Sequence, residues 1–404
     1  MVAKKNQDSW KPGTPIEQNS YYWNGEPFIK CASEESTPTL GKFTVVDLFC
    51  GCGGFSTGIE AANFLTLASS DIHPPSVDTL LHNHPSASVI VGDMRRVDEK
   101  MILDAVANQR VDVVAAGVPC QGFSLNNRKR HDQDDRNFLF WEFIRVVQIL
   151  KPRIVILENV SGLASSANGA FKTAISGAIK ECGYQVDSSM LNALEFGVPQ
   201  KRRRLFFIGA LPDIELRWPR PAYGPGRLLP IRTVWDAIGD LPQIGPGECA
   251  DAYDQNPFTE YQREMRGKCK KLYNHEAPNH PQETIDKIGN TKPGKPIYPL
   301  FPQRIRLSPS DPSPTQVSGG IRPQFQFGHP TLPRGLTVRE RCRLQSFPDS
   351  YYICGGVVQG RVQTGNAVPP LLAKAIAVQV RDMLQGKPPS NESIPAGLTQ
   401  MVLF

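Results

Sequence analysis

Residues 43–55 read Phe-Thr-Val-Val-Asp-Leu-Phe-Cys-Gly-Cys-Gly-Gly-Phe. Phe43–Leu48 is a mostly apolar run of strand length that passes directly into a glycine-rich turn. A strand that is apolar throughout, rather than alternately, is covered on both faces. Gly51, Gly53 and Gly54 allow a tight turn and a close backbone approach to a ligand at the carboxyl end of the strand. The strict Gly-x-Gly-x-x-Gly fingerprint is absent, because position 56 is serine. Further short apolar runs follow at 64–68, 88–91, 111–116, 154–157 and 205–208, with helix-length stretches at 138–150 and 171–181 between several of them. Strands alternating with helices predict an α/β fold, a mostly parallel sheet with helices on both faces.

The chemistry gathers at the strand ends. The second strand ends in Ser70-Asp71, 20 residues after Gly51. A carboxylate there can accept hydrogen bonds from two ribose hydroxyls, which fits either a dinucleotide or S-adenosylmethionine. Asp93, in Val91-Gly92-Asp93-Met94, follows the third strand, where it could reach an adenine amino group. The fourth ends in Gly117-Val118-Pro119-Cys120-Gln121-Gly122-Phe123-Ser124. A single cysteine is more often a small buried hydrophobe than a nucleophile. Here the next strand ends in Glu158-Asn159-Val160, and Pro199-Gln200-Lys201-Arg202-Arg203-Arg204 precedes another apolar strand. Thiol, carboxylate and guanidinium groups are therefore expected around one pocket.

In order along the chain, DLFCGCGGF (47–55), GD (92–93), GVPCQGFS (117–124), ENV (158–160), QKRRR (200–204), LTVRERCRLQSFPD (336–349) and GNAVPP (365–370) resemble the motif blocks of the DNA (cytosine-5) methyltransferases. The matching segments, 43–210 and 335–380, make up more than half the chain. The resemblance implies a Rossmann-like, S-adenosylmethionine-dependent methyltransferase sheet with a smaller, irregular, loop-rich target-recognition domain. The compact length, without added chromatin-reading domains, leans toward an enzyme of restriction–modification type.

By the same resemblance, Cys120 is the thiolate that adds to cytosine C6, and Glu158 hydrogen-bonds the exocyclic amine and N3. Arg204 contacts the base's O2, with Arg202 in support. Phe49 stacks on the adenine of the cofactor, while Gly51 and Gly53 let the backbone approach its methionine part. Asp71 binds the ribose hydroxyls and Asp93 the adenine amine, with Ile72 and Met94 flanking the ring. Pro119 and Leu139 line the pocket, and Asn366-Ala367 closes it. The family often has Glu and Trp where this chain has Asp71 and Ile72, a departure that bears on cofactor affinity. Residues 124–136 resemble the family's mobile catalytic loop, with Ser124, Arg128, Lys129, Arg130 and Arg136 expected on DNA.

Residues 213–330 hold 18 of the 36 prolines. Proline lacks a backbone donor, so this density argues against long helices and central strands. The segment is read as an irregular insertion with a few short strands, whose cluster Arg263, Arg266, Lys268, Lys270 and Lys271 is the candidate DNA-binding face. Residues 1–40 read as a polar N-terminal extension and 391–404 as a C-terminal tail. The catalytic domain is expected over 41–212 and 331–390, the segment after Gly335 packing back on the first domain.

Net charge is +6 and there are nine cysteines. That charge permits a polyanionic partner without demanding one. Only Cys50 and Cys52 lie close together, which is a poor zinc site, so reduced thiols and no metal are expected. The N-terminal MVAKKNQDSW lacks the apolar core of an export signal, and no apolar run is long enough to span a bilayer. The expected setting is a monomer without membrane contact in the prokaryotic cytoplasm, at the nucleoid, or in the nucleus of a eukaryotic host. Its expected partners are S-adenosylmethionine, released as S-adenosylhomocysteine, double-stranded DNA, and a cognate restriction endonuclease that acts on the same site without touching it.

Three alternatives remain beside this reading. A tRNA cytosine methyltransferase shares the cysteine and glutamate, but that branch has a PPCQ-type block and a CFT signature, where this chain has VPCQ and no CFT. A non-catalytic DNA-binding homologue typically loses blocks that are all present here. An NAD-dependent dehydrogenase leaves Cys120, Glu158 and Arg204 without a use.

Overall fold

The structure, a computed structural model, describes residue 23 and residues 25–31, 41–119, 138–164, 169–318 and 326–388. The chain divides into two compact units, the first comprising Met1–Asn192, Arg203–Arg220 and Ala373–Phe404, and the second Ala193–Arg202 and Pro221–Leu372.

The first unit is built on an eight-stranded sheet: β1 (Phe28–Lys30), β2 (Phe43–Leu48), β3 (Phe64–Asp71), β4 (Ser88–Val91), β5 (Val113–Gly117), β6 (Ile154–Val160), β7 (Gln185–Asn192) and β8 (Arg203–Ala210). Their order across the sheet is β1-β4-β3-β2-β5-β6-β8-β7. Strands β4, β3, β2, β5 and β6 run parallel. Strand β8 is antiparallel to β6, and β7 to β8. The chain winds outward from β2 first to β3 and β4, then back to β5 and β6, so the strand order reverses between β2 and β5. In open α/β sheets the crevice beyond the carboxyl ends at such a reversal is where ligands bind.

Burial explains the pattern read from sequence. Val45, Val46, Asp47 and Leu48 are successive and all buried, so both faces of β2 are covered. Intervening segments supply α1 (Gly54–Glu60), α2 (Pro74–Asn83), α3 (Glu99–Ala105), α4 (Phe138–Leu150) and α5 (Ala170–Glu181). Val46, Leu48, Val114, Phe143, Val147, Leu157 and Phe207 belong to one core, each fully buried side chain contributing about 1.5–3 kcal/mol. Asp47 is the charged exception within β2. Its carboxylate accepts a hydrogen bond from Ser56 Oγ at 2.6 Å, and burial pushes its pKa up to about 7.

Two strands escaped the sequence reading. Within the expected N-terminal extension, Phe28–Lys30 pairs antiparallel with β4 as an edge strand, too short to show a period. Strand β7 (QVDSSMLN) occupies the other edge, where a polar strand suffices because its flank is not buried on both faces.

The second unit contains α6 (Val234–Ile238), α7 (Glu260–Arg266), α8 (Gln282–Asn290), α9 (Val338–Leu344) and α10 (Gly356–Asn366). Helix α11 (Pro370–Leu384) begins in it and continues in the first unit. Short strands were expected here, but its described residues form only isolated bridges, as their proline density permits. Its core gathers Tyr261, Met265, Leu307, Phe327 and Leu344.

The sequence reading put residues 331–390 in the catalytic domain; residues 331–372 instead group with the second unit. The reason is electrostatic. All seven residues of α9 are buried, Arg339, Glu340, Arg341 and Arg343 among them. Buried charges need partners, and several of these come from the proline-rich segment. Arg343 Nη1 pairs with Asp240 Oδ1 at 3.0 Å, Arg339 Nε donates to the Tyr273 carbonyl at 2.9 Å, and Arg334 Nε donates to the Ile244 carbonyl at 2.8 Å.

Candidate active site

The turn after β2 passes repeatedly through left-handed backbone, with φ of 54° at Phe49, 57° at Gly51 and 75° at Gly53. Its shape is held from β3. The Phe49 N–H donates to Ser70 Oγ at 3.2 Å, and the Gly51 N–H to Asp71 Oδ2 at 2.8 Å. Asp71 Oδ1 accepts the His73 N–H at 2.8 Å. Burial raises the pKa of Asp71, while these backbone donors pull against that rise. A Cβ at Gly51 would meet nothing within 4 Å. The glycine is therefore needed for its φ, and it leaves the turn open beside a carboxylate that retains free lone pairs. Such an open, carboxylate-edged turn at the strand reversal fits the ribose and methionine parts of S-adenosylmethionine.

Asp93 caps the turn after β4. Its carboxylate accepts the Arg95 N–H at 3.0 Å and pairs with the Arg95 guanidinium at 2.6 Å, which holds its pKa below the usual range. Met94 is buried, Ile72 and Pro119 are half-buried, and Leu139 packs against the sheet core.

Glu158 lies near the end of β6, paired in register with Gly117 of β5, while Val160 pairs with Arg204 of β8. Arg204 Nε lies 2.9 Å from Glu158 Oε1, with both side chains largely buried. Desolvation lowers the pKa of Arg204 and the Glu158 charge opposes it. A Cβ at Gly117 would lie 3.5 Å from the Phe49 carbonyl oxygen and 3.7 Å from Glu158 Oε2. The ends of β2, β5 and β6 thus meet in one place, with the carboxylate beside Gly117. A residue given no role from sequence also acts here. Buried Asn159 donates to the Val118 carbonyl at 3.5 Å and accepts the Val160 N–H at 2.8 Å, linking β6 to the segment after β5. Its place in the ENV block was the available signal.

Arg202 does not join this group. It belongs to the second unit, is 1% exposed, and donates to the carbonyls of Gln316 at 3.0 Å and Gly365 at 3.1 Å. Its observed contacts brace backbone. Asn366 and Ala367 also belong to the second unit, Asn366 exposed and Ala367 buried. Among the five basic residues expected on DNA from this unit, Arg263, Lys268, Lys270 and Lys271 are exposed. Arg266 is engaged within the protein: Nη2 lies 2.6 Å from Asp240, and the guanidinium sits 3.8 Å from the Tyr253 ring centroid. Cys120, Ser124, Arg128, Lys129, Arg130 and Arg136 lie outside the described residues, as does the tail at 391–404.

A parallel sheet reversed at β2 and β5, an antiparallel pair at one edge and a buried carboxylate–guanidinium pair at the strand ends describe an α/β enzyme of the methyltransferase class. Comparison with known proteins narrows the class. The sequence profile of C-5 cytosine-specific DNA methylases matches residues 43–382, and the chain belongs to this family: it is a DNA (cytosine-5) methyltransferase. Type II methyltransferase M1.HphI of Haemophilus parahaemolyticus is 34% identical over 392 residues, covering 94% of this chain and 98% of that protein. Type II methyltransferase M.AgeI of Thalassovita gelatinovora is 33% identical, covering 83% of this chain and 98% of its own. Among solved structures, a prophage-encoded E. coli protein described as a DNA modification methyltransferase superposes with a TM-score of 0.72 at 24% identity, covering 85% of this chain and 100% of its own. The Dnmt2 methyltransferase of S. pombe does so with a TM-score of 0.54 at 16% identity, covering 85% and 99%. These two likenesses concern the fold. Among the described residues no helix is long and apolar enough to cross a membrane.

Proposed function

We propose that the protein methylates C5 of a cytosine flipped out of a specific double-stranded DNA sequence, as the modification partner of a restriction endonuclease. The observation that carries this reading is the Glu158–Arg204 pair at 2.9 Å, beside Gly117, which precedes Cys120 by three residues in sequence. A base inside a duplex is inaccessible to such a pocket, so it must leave the stack.

Cytosine C5 is a weak nucleophile. The Cys120 thiolate adds to C6, forming an S–C6 bond and pushing the electron pair toward C5. Glu158 shares a proton with N3 and accepts from the exocyclic amine, which stabilises the base as this charge shifts. Arg204 holds the Glu158 carboxylate in place and offers its remaining N–H groups to O2. The Phe49 ring, the Gly51–Gly53 turn, Asp71 and Asp93 are the residues that would hold S-adenosylmethionine, with Ile72, Met94, Pro119 and Leu139 around them. When bound, the cofactor supplies an electrophilic methyl group and departs as S-adenosylhomocysteine. Removal of the C5 proton returns the electron pair, breaks the S–C6 bond and frees Cys120.

The second unit reads sequence in this scheme, its loops reaching base edges while exposed Arg263, Lys268, Lys270 and Lys271 hold phosphates. Labelled methyl transfer to unmethylated genomic DNA, followed by bisulfite sequencing, tests the reading. One methylated cytosine in a recurring sequence is expected; no incorporation, or incorporation only into tRNA, overturns it.

A further inference from the structure

Part of the N-terminal extension lies against the turns that carry the cofactor residues. The Trp23 N–H donates to the Ile72 carbonyl at 2.8 Å, immediately after β3. Strand β1 runs along β4, with Phe28 opposite Val91. Pro27 stands close to Gly92: a Cβ on that glycine would lie 3.0 Å from the Pro27 Cα. The segment is thus held at the end of β3 and again at the end of β4, the two ends that carry Asp71-Ile72 and Asp93-Met94. Those ends are also joined to each other, since the Gly92 N–H donates to the Asp71 carbonyl at 3.2 Å.

A three-residue edge strand has little stability of its own, so other contacts must retain it. The Trp23 indole N–H donates to the Glu26 carbonyl at 3.0 Å, and its ring meets Phe28 edge to face with centroids 5.5 Å apart. Trp23, Phe28 and Cys50 of the glycine turn pack against one apolar cluster that holds Val77 and Leu80 of α2 and Val89 and Val91 of β4. Arg96, three residues after Asp93, donates to the Gly25 carbonyl at 3.0 Å and pairs with Glu26. Backbone bond, ring packing and ion pair therefore tie one short segment to the loops after β2, β3 and β4. A turn fixed before its ligand arrives loses less conformational entropy on binding.

We propose that Trp23 and residues 25–30 form a strap that fixes the turns after β3 and β4, with Trp23 a positioning residue for the adenosine part of S-adenosylmethionine. Trp23 acts through Ile72, and Pro27 through Gly92 and Asp93. This rests on the reading that Asp71, Ile72 and Asp93 hold that part of the cofactor.

Calorimetric titration of the full-length protein with S-adenosylhomocysteine tests the strap, because it reads the site without turnover. Trp23→Ala is expected to weaken Kd about tenfold, and Trp23→Phe, which keeps ring packing without the indole donor, by less. In methyl transfer the KM for S-adenosylmethionine should rise by the same factor while kcat at saturating cofactor holds. Trp218→Ala removes another half-buried indole of the first unit, one that donates to Asp187 at 2.8 Å. It is expected to lower the urea midpoint without moving Kd. Where Trp23→Ala does not fold, as judged by circular dichroism, Arg96→Gln at an exposed position is decisive, with Kd expected about threefold weaker. A wild-type Kd in the decisive variant, or equal weakening in Trp218→Ala, overturns the strap. Wild-type protein that binds no S-adenosylhomocysteine contradicts the cofactor reading instead, and the two failures are thus distinct.

Discussion

Glu158 Oε1 lies 2.9 Å from Arg204 Nε across the antiparallel pair β6 and β8. The register that sets Val160 opposite Arg204 brings the two side chains together at the strand ends, where the sheet's backbone holds both. If the carboxylate shares its proton with the target base, Glu158→Gln retains shape and loses proton sharing. Methyl incorporation is expected to fall by about 10²–10⁴ in kcat with little change in the KM for S-adenosylmethionine. Arg204→Lys keeps the charge but not the planar fork, and is expected to fall between wild type and Glu158→Gln.

The thiol step has its own signature. On DNA carrying 5-fluorocytosine the C5 position bears no removable proton, so the S–C6 bond persists. A denaturation-resistant protein–DNA band is expected for wild type and none for Cys120→Ala. A band of equal intensity in both would remove Cys120 from the chemistry.

Two glycines separate conformational from steric need. Gly51 has φ 57° and open space around a would-be Cβ, so Gly51→Ala costs about 1–2 kcal/mol of backbone strain and should weaken cofactor binding first. Gly365 faces the opposite constraint, since its Cβ would fall 2.3 Å from the Ser318 backbone nitrogen. Neither side of that contact is a flexible side chain. Gly365→Ala is expected to cost at least about 1–3 kcal/mol by overpacking, visible as a lower urea midpoint in the absence of any ligand.

Acid stability is expected to depend on His329. Its Nδ1 accepts the N–H groups of Thr331 at 3.2 Å and Leu332 at 3.1 Å, so that atom cannot take a proton without losing both. Burial is the chief cause lowering its pKa from 6.5 to about 4, while nearby Glu340 opposes it. Between those values the unfolded chain binds a proton that the native chain does not. Stability contributed by neutral His329 is therefore complete above pH 6.5 and lost as pH falls toward 4, by up to about 3 kcal/mol. Urea midpoints measured across this range should fall less steeply for His329→Asn than for wild type.

The parallel strands were legible because burial on both faces demands unbroken apolar runs, as in Val113–Gly117 and Ile154–Val160. Motif order disclosed Glu158 and Arg204 for the same reason: each sits at a strand end that the hydrophobic pattern already locates. Edge strands β1 and β7 were not legible, since one is three residues long and the other polar. The engagement of Arg266 was not legible, because a charge in a basic cluster looks solvated in sequence and nothing local shows Asp240 beneath it. Arg202, taken with Arg204 from the QKRRR block, is braced on the carbonyls of Gln316 and Gly365, partners that the block does not show.

The opening stretch 43–55, together with the ordered blocks and apolar runs that follow it, was enough to determine the six inner strands and the family, because those depend on local periodicity and on residue type. Placement of residues 331–372 in the second unit and the bracing role of Arg202 required the folded chain. Each is decided by partners far away in sequence, such as Asp240 for Arg343 and Gln316 for Arg202. A buried charge carries no local mark of whether a carboxylate or a carbonyl lies within reach, so only tertiary packing separates an arginine paired with an acid from one that braces backbone.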